Sequence, residues 1–167
     1  YTPAILRPLD EGADVAIYSA TKYLGGHNDV MAGVVTVADP ALGERLQYRL
    51  NTTGATLGPF DSFLLLRGLK TLSLRMARHE ANAKEVVAFL QASPHVTRVL
   101  YPGHSGMVSF DLAEDVDIAT FLESVRVFTF AESLGGVESL VTCPSVQTHA
   151  DVPPATRARY GLTDRLL

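Results

Sequence analysis

Lys22 is the residue of this 167-residue chain whose neighbours are best suited to covalent chemistry. It lies in Val15-Ala16-Ile17-Tyr18-Ser19-Ala20-Thr21-Lys22-Tyr23-Leu24-Gly25-Gly26-His27-Asn28-Asp29-Val30, where an apolar run of strand length passes directly into two hydroxyl residues, a lysine and paired glycines. A lysine amine attacks aldehydes once desolvation or nearby cations lower its pKa. The Ser19 and Thr21 hydroxyls can each be offered to an anion. Together these groups suit a phosphorylated aldehyde, carried to a flexible turn by a rigid strand. A second stretch, Phe128-Thr129-Phe130-Ala131-Glu132-Ser133-Leu134-Gly135-Gly136-Val137-Glu138-Ser139-Leu140, places a charge and a hydroxyl where a strand ends. Its paired glycines permit close backbone approach to a ligand, although spacing alone reads as a structural turn.

Composition narrows the partners. With 47% hydrophobic and 19% charged residues the chain can bury a core, and a formal charge of −4 without a basic cluster argues against nucleic acid or an anionic membrane as partner. A small molecule fits better. Cys143 is the single cysteine, so it cannot form an internal disulfide; this agrees with a cytoplasmic location, and Cys143 reads as a packed thiol. No apolar run nears the roughly 20 residues that span a bilayer. The five histidines, at positions 27, 79, 95, 104 and 149, lack the spacing of metal ligands, so no metal site is expected. The chain opens on Tyr1 with no methionine or signal-peptide pattern, and a longer protein is expected ahead of it.

The elements that must position these residues follow from periodicity. Prolines at 3 and 8 make the start a connector, with a helical turn near Asp10-Glu11-Gly12. Val15 to Tyr18 and Gly33 to Ala38 are β-branched, apolar runs that suit strands covered on both faces, which implies a layered α/β domain. Asp39-Pro40 caps a helix from Ala41 to Leu50, on which Arg45 and Arg49 read as surface residues. Phe60 to Leu72 is helical with leucines on more than one face, and Leu74 to Leu90 continues as a long helix that Pro94 ends. Val96 to Tyr101 and Met107 to Leu112 read as strands. Asp117 to Val125 is an amphipathic helix packing on them, and Pro153-Pro154 opens a last helix closed by Gly161. The expected domains are residues 1–73, part of an α/β large domain, and residues 74–167, a small α+β domain.

Ser-Ala-Thr-Lys-Tyr-Leu-Gly-Gly-His resembles the Schiff-base segment of the pyridoxal-phosphate-dependent enzymes of cysteine and methionine metabolism. Gly-Pro-Phe-Asp-Ser-Phe-Leu-Leu-Leu-Arg-Gly-Leu-Lys-Thr-Leu-Ser-Leu-Arg-Met is similar to the same family at matching distance. Ala-Glu-Ser-Leu-Gly-Gly-Val-Glu-Ser-Leu resembles the trans-sulfuration enzymes of the cystathionine γ-synthase and γ-lyase kind. The resemblance implies a fold-type I, aspartate-aminotransferase-like architecture and pyridoxal 5′-phosphate as cofactor. It implies that Lys22 holds the cofactor and shuttles protons, that Ser19 and Thr21 bind its phosphate, and that Ser133 lies beside the lysine. Glu132 would then face the distal part of an amino-acid substrate, Thr148 would line the same pocket, and Glu138 would have a structural role. The family also implies a homo-oligomer, a dimer of dimers.

Departures from the family pattern count as well. Family members carry a longer basic segment between the positions of Tyr101-Pro102-Gly103 and Gly106-Met107, where only His104-Ser105 stands; a stretch absent from the sequence as written is expected here, rather than a shorter natural turn. The family's glycine-rich phosphate loop, ring-stacking tyrosine and pyridinium aspartate would precede Tyr1, and its carboxylate-binding arginine would follow Leu167. Arg165 stands too early for that role. The 167 residues alone are therefore expected not to form a complete site. The reading is γ-elimination or γ-replacement on cystathionine or an O-acylhomoserine, with O-acylhomoserine sulfhydrylase or methionine γ-lyase as alternatives, and an inactive interaction or regulatory remnant as the non-enzymatic one.

Overall fold

The computed structural model describes all 167 residues. They form two compact units, Tyr1–Met76 with Gly135–Val137, and Ala77–Leu134 with Glu138–Leu167.

In the first unit, strand β1 (Val15–Ser19) pairs antiparallel with β2 (Gly33–Val37), in a register that sets Ser19 opposite Gly33. The expectation that both strands are covered on both faces is not met within this chain. Ile17 is 77% exposed and Val35 52%, because a ribbon of two strands has little to cover it besides helix α1 (Pro40–Thr53), which meets β2 where Gly43 approaches Val37. Helix α1 begins as the sequence predicts: the Asp39 carboxylate accepts the Ala41 N–H at 2.9 Å and Pro40 occupies the first turn. It ends at Gly54, whose φ of +69° is one that glycine adopts without a Cβ clash. Arg45 and Arg49 are exposed on it.

Helix α2 (Pro59–Leu69) stops earlier than periodicity suggested, and α3 (Leu72–Ala92) starts after a break at Lys70-Thr71. The break has a polar cause. The last carbonyls of a helix lack partners in it, and here the Gly68 carbonyl accepts from the Thr71 hydroxyl and from the Arg75 guanidinium. Helix α3, roughly 30 Å long by its 21 residues, leaves the first unit at Met76 and enters the second at Ala77.

The second unit is α+β. Strand β3 (Val96–Leu100) pairs antiparallel with β4 (Ser109–Leu112), and β4 also bonds the chain end, Phe110 N–H to Leu167 O at 3.1 Å and Leu167 N–H to Phe110 O at 2.9 Å. Leu112, Val141, Cys143 and Leu167 form the core under helix α4 (Ile118–Ser124), whose Ile118, Phe121 and Leu122 pack against it as their spacing requires. Cys143 is buried, in line with a packed thiol. Two short strands, β5 (Thr129–Phe130) and β6 (Leu140–Val141), pair in parallel, and α5 (Pro154–Arg159) precedes Gly161 at φ +69°.

Between β3 and β4 the chain runs on as one short turn. The Tyr101 hydroxyl donates to the Ser105 carbonyl at 3.0 Å, Ser105 is buried at φ +69°, and Gly106 lies against the ring of His79. Glu80 of α3 faces this turn. Its carboxyl is held below the ordinary value first by the hydrogen bond from Lys84 and also by His104 and the Ser105 backbone.

Helix α4 yields a pH-dependent prediction. The Asp117 carboxylate accepts the Thr120 N–H at 2.8 Å, and the Thr120 hydroxyl and backbone hold its carboxyl below the ordinary value. A depressed folded-state value makes the cap's contribution present above the ordinary aspartate range and lost as pH falls through that lowered value. Asp117→Ala should therefore lower the thermal midpoint at neutral pH, and the gap to the parent should close on acidification. A gap that persists unchanged in acid would show that the cap does not act through the ionised carboxylate.

Candidate functional site

Lys22 sits in a short π-type turn, Ala20–Leu24, that continues β1. Ala20, Tyr23 and Leu24 are buried and anchor it, so the two intervening residues face outward, Thr21 and Lys22 half-buried. The lysine interrupts the helical geometry with φ −91° and ψ −122°, and the turn closes through Gly25 N–H to Ala20 O and Gly26 N–H to Lys22 O, both 2.8 Å. Thr21 shuts the following loop: its N–H donates to Ala32 O at 3.1 Å and its hydroxyl oxygen accepts the Ala32 N–H at 3.0 Å. That hydroxyl keeps a proton to donate, since its contact to Ala32 O is long at 3.4 Å. The exposed Ser19 hydroxyl and the Lys22 amine form no hydrogen bond or ion pair.

Backbone-to-backbone packing holds this turn. A Cβ on Gly68 of α2 would run into the Gly25 carbonyl, so helix and turn meet with no side chain between them. A Cβ on Gly135, itself at φ +81°, would stand 2.5 Å from the Tyr23 nitrogen and 2.8 Å from the Lys22 carbonyl carbon. Gly26, at φ +75°, lies on the Arg75 guanidinium, which donates from Nη1 to Tyr23 O at 2.7 Å, from Nη2 to Gly68 O at 2.9 Å and from Nε to the Thr71 hydroxyl at 3.0 Å. The His27 ring bonds the Gly25 carbonyl through Nδ1 at 2.9 Å. Gly68 and Arg75 fall within the two helical stretches expected from sequence, Phe60 to Leu72 and Leu74 to Leu90, where neither has an evident role. The one sequence signal is Gly68 itself, a glycine inside a leucine-rich helix, where glycine costs about 1 kcal/mol against alanine.

The remaining expected site residues belong to the second unit. Glu132 is exposed just past β5 and its carboxylate makes no hydrogen bond or ion pair, so within this chain it is not consumed by an arginine. Ser133 is half-buried. Thr148 is exposed in a turn, and its hydroxyl pairs with His149 Nδ1 at 2.7 Å. No bond joins Glu132 to Thr148. In its own unit the Arg165 guanidinium donates from Nε to the Leu112 carbonyl and from Nη2 to the carbonyls of Ala113 and Val116.

The donor set around Lys22 fits an aldehyde cofactor bearing an anion. It offers an unpartnered primary amine, an unpartnered hydroxyl at Ser19 and a hydroxyl proton at Thr21, on a turn whose backbone is held by close approach at Gly25, Gly26, Gly68 and Gly135.

Comparisons with known proteins agree with that chemistry. The family pattern described as Cys/Met metabolism PLP-dependent enzyme matches residues 1–167. The Bacillus subtilis protein named cystathionine gamma-synthase/O-acetylhomoserine (thiol)-lyase is 54% identical over 167 residues, 100% of this chain and 45% of that protein. The cystathionine gamma-synthase of Haemophilus influenzae is 51% identical over 166 residues, covering 99% and 45%, and the cystathionine gamma-lyase of Bacillus subtilis 44% over 182, covering 99% and 48%. Among solved structures, the cystathionine gamma-lyase from Lactobacillus plantarum complexed with L-serine superposes with a TM-score of 0.90 at 41% identity, over 95% of this chain and 46% of that one. The chain thus spans about half the length of the relatives it matches, and its fold is that of the same part of these fold-type I enzymes.

The alignments also correct one expectation. The match to the first relative runs over 167 positions and all of this chain, so that protein has no segment inserted at the Tyr101–Met107 turn. The match to the gamma-lyase runs over 182 positions with the same chain, which leaves about 17 of them without a counterpart here. The short turn is thus shared with a natural relative and closed by its own hydrogen bonds, and no stretch is missing at that point.

Two helix glycines should respond oppositely to a methyl group. Gly68→Ala is expected to destabilise by about 2 kcal/mol or more through overpacking on the Gly25 carbonyl. Gly43→Ala, which meets only Val37 Cγ2 at ordinary contact distance of 3.4 Å, should stabilise by about 0.5–1 kcal/mol. Urea titration of both variants checks this, and equal effects would contradict the close approach of α2 to the lysine turn.

Proposed function

Because the chain belongs to the Cys/Met metabolism PLP-dependent enzyme family, we propose that the whole protein acts at the γ carbon of cystathionine or an O-acylhomoserine. The observation that carries this reading is the unpartnered Lys22 amine, held on a locked turn beside the Ser19 and Thr21 hydroxyls. Bound pyridoxal phosphate supplies the electron sink for carbanions formed on the substrate. Lys22 would hold the cofactor through Nζ, and its amine would serve as the base and acid that moves protons at the α and β carbons of the substrate. Ser19 and Thr21 would donate their hydroxyl protons to the cofactor phosphate. In the second unit, Glu132 would meet the distal ammonium of the substrate, with Ser133 and Thr148 lining the pocket.

Within the class, γ-replacement is favoured over γ-elimination. The relatives named as synthases align with this chain over 167 and 166 positions, whereas the gamma-lyase needs 182. We place residues 1–73 in the cofactor-binding large domain and residues 74–167 in the small domain, and assign the protein to the cytoplasm as a dimer of dimers. Support for the assembly comes from Phe60, Phe63 and Leu66, 70%, 58% and 63% exposed along α2, which form an apolar face for a partner.

The deciding experiment mixes the purified whole protein with an O-acylhomoserine and cysteine, and separately with cystathionine alone. Faster formation of cystathionine than of 2-oxobutanoate is expected; turnover of neither substrate overturns the proposal. Lys22→Ala should lose about 10²-fold or more in kcat, together with the borohydride-fixed cofactor. Cofactor still fixed to the same peptide in that variant would remove Lys22 from its role. For Glu132, a charge-assisted hydrogen bond of roughly 1.5–3 kcal/mol corresponds to about a tenfold to hundredfold preference for cystathionine over methionine. Glu132→Val should erase most of that ratio of kcat/KM values, and a ratio that stays within about twofold of the parent would show that Glu132 does not read the substrate.

A further inference from the structure

Arg75 is a half-buried cation without a carboxylate partner. Burial lowers its pKa from the ordinary arginine value, and every hydrogen bond it makes goes to a carbonyl or hydroxyl: Tyr23 O, Gly68 O and the Thr71 Oγ1. Two of these acceptors define its place. Tyr23 immediately follows Lys22 in the interrupted turn, and Gly68 is the α2 residue whose backbone lies on Gly25. A planar guanidinium can bond both carbonyls at once, whereas an ammonium is a point donor. Gly26 completes the fit, since any side chain there would displace the guanidinium.

We propose that Arg75 is the positioning residue for Lys22: it clamps the peptide that follows the lysine to the end of α2, and so fixes the direction in which the amine presents itself to the cofactor. The clamp is a long-range tie, 52 residues apart in sequence, and Thr71 orients it by accepting from Nε while donating to Gly68 O. An exposed surface arginine would need none of this. Loss of the clamp leaves the Tyr23 and Gly68 carbonyls without that donor and frees the turn to pivot at the lysine, whose dihedrals already depart from the helix on either side. Misplacement of a reacting group by about 1 Å costs up to roughly 10²-fold in rate without a matching loss of binding.

This inference rests on the proposed role of Lys22, and the test separates the two. In the whole protein loaded with pyridoxal phosphate, the visible circular dichroism of the cofactor, normalised to the amount fixed to the Lys22 peptide by borohydride, reports how the cofactor is oriented. Arg75→Met should lower this ellipticity at least about twofold and reduce kcat by about 10- to 10²-fold with KM within about threefold. Arg75→Lys should recover part of both. Thr71→Val should shift both less and in the same direction. Arg165→Met, which removes three carbonyl bonds in the other unit, should lower the thermal midpoint and leave the normalised ellipticity unchanged. If borohydride fixes no cofactor to the parent Lys22 peptide, the proposed function falls and this inference with it. If the parent is labelled and Arg75→Met keeps its ellipticity and kcat, the inference alone is overturned. Should Arg75→Met fail to fold, parent-like values in both Arg75→Lys and Thr71→Val overturn it.

Discussion

The contact on which the lysine turn depends is the one between two backbones, Gly68 of α2 against the carbonyl of Gly25. Any side chain at Gly68 would push the helix away from the turn and separate the Tyr23 and Gly68 carbonyls that Arg75 bonds together. Gly26 and Gly135 obey the same constraint from other directions. The order matters: glycines bring the peptides together, and only then can a rigid fork with two donors span them. The Lys22 amine makes no bond of its own, so its place is set by the backbone of its neighbours.

A parallel arrangement organises the second unit. Asp111, buried on β4, accepts from the Arg98 guanidinium and from the Thr163 hydroxyl, while Arg98 also reaches the Gly161 carbonyl. Removal of one member would leave a buried charge without its partner, the costly case for buried pairs. Through these bonds and those of Arg165, the final residues are tied to β4 and the core around Cys143 and Leu167 is closed. The N-termini of α1 and α4, one in each unit, are capped locally by Asp39 and Asp117. Among the apolar surface that stays exposed are Ile17 and Val35 on the β1–β2 ribbon and Phe60, Phe63 and Leu66 along α2.

Local chemistry made much of this legible from the amino-acid sequence by itself. Proline after aspartate marked the start of α1, an i, i+3, i+4 apolar pattern marked α4, and the run from Val15 into Ser19-Ala20-Thr21-Lys22 marked a strand delivering an amine and hydroxyls. Each rests on interactions within a few residues, where type and spacing determine geometry. Tertiary structure alone decided the rest. That Arg75 bonds the peptide carbonyl just after Lys22 depends on a contact across 52 positions, that α2 ends at Leu69 depends on who takes the Gly68 carbonyl, and that Ile17 and Val35 lie exposed depends on how many strands join the ribbon. The Tyr101–Met107 turn shows the same division: sequence revealed its shortness, but only the Tyr101-to-Ser105 bond and the packing of Gly106 on His79 showed it closed. Periodicity carries no record of which distant backbone a glycine will touch, because the absent side chain acquires its meaning from the partner that fills its space.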